Sequence, residues 1–211
     1  MIKEHNNFYS LRGLLFIALG LLLDAGASIM LEIASGKVLT YTGYGVSFIA
    51  SVLYVIGIIM IKSKMEYFRR AKICIMIMLA LSALVFLVTV SAFYFGSLML
   101  GTSAAVIAIG LVAASLLMVY NIMRGCSEIG EDQLDENHEI MCNRVWMIYV
   151  IIFGASYVVG GLSAIILGDS STLGAAISAA MTYIGAASKL LVGLACWLTY
   201  KKFNGNKINA Y

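Results

Sequence analysis

Apolar residues run through this chain in long blocks, and the charged residues collect in the gaps between them. A helix needs about 20 apolar residues to cross the roughly 30 Å of hydrocarbon in a bilayer. Blocks of that length occupy 13–34 and 41–61. Between Lys72 and Arg124 there is no charged residue at all, a stretch too long for one span and right for two. These fall at 73–95 and 99–123, with a turn near Gly96. Two more blocks, 145–167 and 173–200, complete a set of six. Within lipid each backbone N–H and C=O must be satisfied internally, which leaves helices and closed barrels. Continuous apolar runs lack the alternation of a barrel strand. The expected fold is all-α: a polytopic integral membrane helical bundle of one domain, with six transmembrane helices in three hairpins. The connecting segments 62–72 and 124–144 lie outside the spans.

Lys and Arg set the expected threading. Lys3 and Arg12 precede the first span, and Lys62, Lys64, Arg69, Arg70 and Lys72 follow the second. Arg124 and Arg144 bound the 124–144 segment, and Lys201, Lys202 and Lys207 follow the sixth span. All of these fall on one side. Only Lys37 falls on the other, and Lys189 lies inside a span. Basic loops stay cytoplasmic, so both termini are expected in the cytoplasm and the protein in the cell membrane. The start of the chain also resembles a secretory signal, with MIKEHNNFYSLR, an apolar GLLFIALGLLL and an A-x-A site at Ala25-Gly26-Ala27. Apolar character resumes after Ser28, so the stretch reads as a span.

Composition agrees with the pattern. Hydrophobic residues make up 62% of the chain and charged ones 12%, against about 25% charged in a soluble domain. The net charge of +3 comes from segment ends rather than from a basic stripe with interleaved aromatics, so nucleic acid is not an expected partner. Cys74 and Cys196 lie in spans near the cytoplasmic face. Cys126 and Cys142 lie in a cytoplasmic segment, where thiols stay reduced, so no disulfide framework is expected. There is no Pro, which weakens the cue for the broken helices of transporters.

Two charges are out of place. Asp24 stands in LLLDAGAS, and Lys189 in GAASKLLVG. Each lies twelve residues inside the nearest basic residue, Arg12 and Lys201 respectively. At 1.5 Å per residue both sit about 18 Å deep. Gly20 and Ser28 flank Asp24 at helical spacing, and Gly185 and Gly193 flank Lys189. Small residues four apart let two helices approach closely in lipid. An antiparallel pairing of spans one and six would set Gly20 against Gly193, Ser28 against Gly185 and Asp24 against Lys189. A lone charge at mid-membrane costs about 2.5–3.5 kcal/mol or more. The pair is expected to fix helix register, with a proton or ion site as the alternative. Glu32 extends the Asp24–Ser28 stripe outward, as a solvated residue or as the end of a polar track. Tyr41, Tyr44, Tyr54, Tyr94, Tyr120, Tyr149 and Tyr157 are expected as interface anchors.

The segment RGCSEIGEDQLDENHEIMCNR holds six acids between Glu128 and Glu139. Its expected role is a solvated acidic loop, 128–139, suited to a basic protein partner. Cys126, His138 and Cys142 form a weak candidate metal set by residue type, but their spacing matches no common zinc module. No cofactor is expected. The basic KSKMEYFRRAK suits the anionic inner leaflet, with Tyr67 and Phe68 dipping in. There is no GxSxG, no HExxH and no phosphate-cradling loop.

GYGVSFIASVLYVIGIIMIKSKMEYFRRAKICIMIMLALSAL, with Phe68-Arg69-Arg70-Ala71-Lys72 after an apolar helix, resembles a group of uncharacterised small membrane proteins of Gram-positive bacteria. YNIMRGCSEIGEDQ followed by NRVWMIYVIIF is similar to that group's later loop and next span. The resemblance covers about half the chain. The group carries an Asp/Pro-rich turn before the Gly-Tyr, where this chain has TYTGY. It implies a six-span bundle and carries over no activity or site residue. The expected function is a non-catalytic accessory, regulatory or partner-binding membrane subunit, in contact with the bilayer and able to form an oligomer. The alternative is a small transporter or channel for a proton, ion or small polar solute, using Asp24 and Lys189. An enzyme would require a bound metal.

Overall fold

The computed structural model describes residues 10–34, 36–61, 65–95, 98–167 and 172–206. The six expected helices are all present: α1 (Arg12–Ile33), α2 (Lys37–Met60), α3 (Glu66–Phe95), α4 (Leu98–Asp132), α5 (Glu136–Leu167) and α6 (Thr172–Phe203). Each is long and apolar enough to cross a membrane. Lys3, Lys62, Lys64, Lys207, the turn at Gly96 and the side chains of Tyr94 and Tyr157 lie outside the described residues.

The helices are apolar on all sides, as expected where one face meets protein and the other lipid. Leu22, Phe48, Phe86 and Ile151 are exposed large side chains. α1 packs on α2, α3 on α4 and α5 on α6, the three expected hairpins. α1 also packs along α6, and α4 along α5. α2 and α3 meet over only a short stretch. The helices therefore follow one another in space as α2, α1, α6, α5, α4, α3.

The α1–α2 contact is a backbone contact. A Cβ on Gly13 would lie 2.1 Å from the Gly57 carbonyl oxygen, and one on Gly57 would lie 2.7 Å from that of Gly13. A Cβ on Gly20 would lie 2.8 Å from the Ala50 oxygen. Lipid supplies no hydrophobic drive between helices, so close approach through small residues carries the association. The core gathers at the basic end of the bundle, around Leu14, Ile17, Ile58, Phe68, Ile122 and Val192.

The 124–144 segment is not a loop. α4 continues to Asp132, α5 starts at Glu136, and a tight turn joins them. Leu134 takes a left-handed φ of 55°. Asp135 accepts from the His138 backbone N–H through Oδ1 at 3.3 Å, which caps the start of α5. The reason is a buried stripe that runs past the last hydrocarbon-length position: Ile122, Cys126 and Ile129 pack inward while Glu131 stays exposed. The basic FRRAK segment is likewise the first turns of α3. Phe68 is buried, under Gly125 of α4, rather than dipped into lipid. The Tyr67 ring lies between the Arg70 and Arg124 guanidiniums, edge-on to Tyr120.

The tyrosines divide. Tyr41 and Tyr44 are exposed. Tyr54 and Tyr149 pack against the core instead, and Tyr120 stacks edge-on to Trp146 at 5.2 Å. These last three are half-buried against other side chains.

Candidate functional site

Asp24 projects from the middle of α1 and Lys189 from the middle of α6. Their side chains meet, with Lys189 Nζ 2.7 Å from Asp24 Oδ2. The second carboxylate oxygen accepts a hydrogen bond from Ser47 Oγ of α2 at 3.1 Å. Lys189 also donates to Ser28 Oγ at 3.3 Å. The Ser28 hydroxyl in turn donates to the Asp24 carbonyl at 2.8 Å, one helical turn back. Three helices thus converge on one ion pair whose charged oxygens each have a partner. The pair is not sealed: the side chains of Lys189 and Asp24 are 32% and 31% exposed.

The small-residue frame differs from the expected one. Gly20 faces α2 at Ala50 and Tyr54, not Gly193. Gly193 faces Ala18 and Leu21 of α1. Gly185 faces nothing within 4 Å, and Ser28 meets Lys189 in its place. Residues four apart share a helix face only approximately, so Gly20 rotates onto α2, where the backbone lies closer. Glu32 is exposed, as is Lys37, and no ion pair joins them among the described residues. Ser47 had no mark in sequence to set it apart from the other small polar residues of its helix.

A second polar cluster lies at the basic end, between α4, α5 and α6. His138, Cys126, Cys142, Cys196 and Thr199 are all buried there. The Thr199 hydroxyl donates to the Ala195 carbonyl at 2.8 Å. Its one proton is then in use, so the 2.9 Å contact between His138 Nε2 and Thr199 Oγ1 requires the histidine N–H to donate. Cys142 Sγ lies 3.5 Å from the same nitrogen. The imidazole stands edge-on to Phe203 at 4.9 Å. Cys126, His138 and Cys142 do come together, but as a packed hydrogen-bonded cluster. Among the described residues no group of three or more His, Cys, Asp or Glu is arranged to hold a metal ion. The four cysteines are free thiols.

The acids of 128–139 are only partly available to a partner. Glu131 and Glu136 are exposed. Asp135 is tied to Lys202 of α6, whose ammonium holds its carboxyl below the usual range.

Comparison with protein-family models, curated proteins and solved structures returned no match.

Proposed function

We propose that this is a multi-pass membrane protein of the cell membrane, with both ends in the cytoplasm, acting as a non-catalytic accessory, regulatory or partner-binding subunit. The observation that carries the reading is the Asp24–Lys189 pair. Each charged atom has its partner on a neighbouring helix, with Ser47 and Ser28 completing the set. An ion pair so partnered joins α1, α2 and α6 in a single register. Intramembrane polar residues placed this way specify arrangement. The exposed acids at the α4–α5 turn, Glu131 and Glu136, offer a basic partner its contact. The basic residues at the same end support its cytoplasmic placement.

A second reading has its own observation. Both members of the pair keep about a third of their side-chain surface exposed in the middle of apolar helices. An intramembrane ionisable pair that its neighbouring helices do not fully enclose is a candidate for a proton or ion pathway.

A double-mutant cycle on thermal unfolding in detergent separates the two. Asp24→Leu and Lys189→Leu are each expected to destabilise by about 2–4 kcal/mol, because each leaves one charge orphaned. The double variant is expected to recover most of that loss. Additive effects would refute the register role, and proton flux into liposomes that disappears in Asp24→Asn would establish the second reading.

A further inference from the structure

Alongside the buried face of α1 and α6 runs an open apolar groove of about 460 Å³. Leu15, Leu19 and Leu22 line it from α1, and Leu190, Leu194 and Trp197 from α6. Both rows have the spacing of a single helix stripe, and both continue at the basic end to a cation. Arg12 precedes Leu15 on α1, and Lys201 follows Trp197 on α6.

The register of the two helices brings those cations to one level. Asp24 and Lys189 touch, and Arg12 and Lys201 each lie twelve residues further toward the same end. The hydrogen bond from the Leu11 N–H to Asn204 Oδ1, 2.9 Å long, fixes that end. Arg12 and Lys201 are exposed. Neither forms an ion pair among the described residues, whereas Arg70 has Glu66 and Lys202 has Asp135. The Lys201 ammonium lies over the Trp197 ring at 5.2 Å, at the mouth of the groove. Two like charges side by side repel, and an anion between them removes the repulsion. The rise from Leu22 to Arg12 is about 15 Å, half the thickness of the hydrocarbon.

We propose that this groove binds one acyl chain of an anionic phospholipid, its phosphate held between Arg12 and Lys201. The chain length of one leaflet fits the apolar stripe, and the two cations, without an ion-pair partner among the described residues, select the charge of the headgroup. The inference rests on the chain's crossing a membrane and not on the role of Asp24 and Lys189.

Trp197 reports directly. The full-length Trp146→Phe protein carries Trp197 as its remaining tryptophan. It would be placed in phosphatidylcholine nanodiscs doped with brominated phosphatidylglycerol or with brominated phosphatidylcholine of the same chains. Trp197 is expected to be quenched at roughly thirtyfold lower mole fraction of the anionic lipid, the scale two surface cations give. Arg12→Gln with Lys201→Gln should erase that difference, and Arg12→Lys with Lys201→Arg should keep it. If Trp146→Phe does not fold, native mass spectrometry of the unaltered protein counts bound lipid of each kind and reads the same preference. Equal quenching by the two lipids overturns the proposal. So does quenching by neither together with a dimer mass, which would place a second copy of the chain in the groove.

Discussion

Asp135 shows how one residue at the surface can report on the fold. It caps α5 and pairs with Lys202, and the pairing lowers its carboxyl from the ordinary 3.8. A carboxyl with a depressed folded-state pKa stabilises fully above its unfolded value. That contribution is lost as pH falls through the folded value. The protein should therefore lose stability below about pH 4, and Asp135→Asn should flatten that acid limb while lowering stability at pH 7. Unfolding midpoints across a pH series would check both. Glycines offer a sharper contrast at the same scale. Gly13→Ala drives a methyl onto the Gly57 carbonyl at 2.1 Å, backbone that cannot move aside. Gly185→Ala meets nothing within 4 Å. The first should unfold at markedly lower temperature, by more than about 2 kcal/mol, as overpacking against backbone does. The second should be neutral or slightly stabilising, since Ala is the better helix former by about 1 kcal/mol.

At the scale of the elements, the α4–α5 turn stores a small strain. Leu134 sits at φ 55° and is 80% exposed. Glycine adopts that conformation without a Cβ penalty, and the exposed leucine side chain contributes little packing. Leu134→Gly should raise the unfolding midpoint, with a gain of up to about 1 kcal/mol. A lower midpoint would mean that the leucine side chain is held by a contact in the membrane. Helix number and pairing were legible because a run without charge is a direct consequence of the lipid solvent. The ends of α3, α4 and α5 were not. Charges mark where hydrocarbon stops, but a helix stops where its buried stripe stops, and Phe68, Ile129 and Cys142 carry the stripe onward. That signal was present as three- and four-residue spacing in a segment rich in acids. The Asp24–Lys189 meeting followed from matched depth. The faces of Gly20, Gly185 and Ser28 did not, because a rotation of a few tens of degrees about a helix axis decides them.

For the whole molecule, packing is uneven. The core lies at the basic end, and α2 and α3 meet over a short stretch. Regions with few buried apolar contacts open at lower free energy. Hydrogen exchange in detergent should therefore protect the helix segments around Leu14, Ile58, Ile122 and Val192 longest and release the first turns of α2, where Val38, Tyr41 and Tyr44 are exposed, earliest. Uniform protection along α2 would contradict this ordering. The uneven packing also shows why the polar clusters sit where they do. The His138–Thr199 pair lies where three helices are already held together.

The contact between α1 and α6 has a consequence for how the protein is made. The ribosome delivers α1 first and α6 last among these helices. In the proposed membrane placement, Asp24 is without its ammonium until α6 arrives, with Ser47 of α2 as its only described side-chain partner. The α1–α2 hairpin must therefore be stable enough to hold an orphan carboxylate while three more helices are inserted. Its backbone-to-backbone seam at Gly13 and Gly57 supplies that endurance. A chain that stops short of Lys189 would keep that carboxylate without its ammonium permanently.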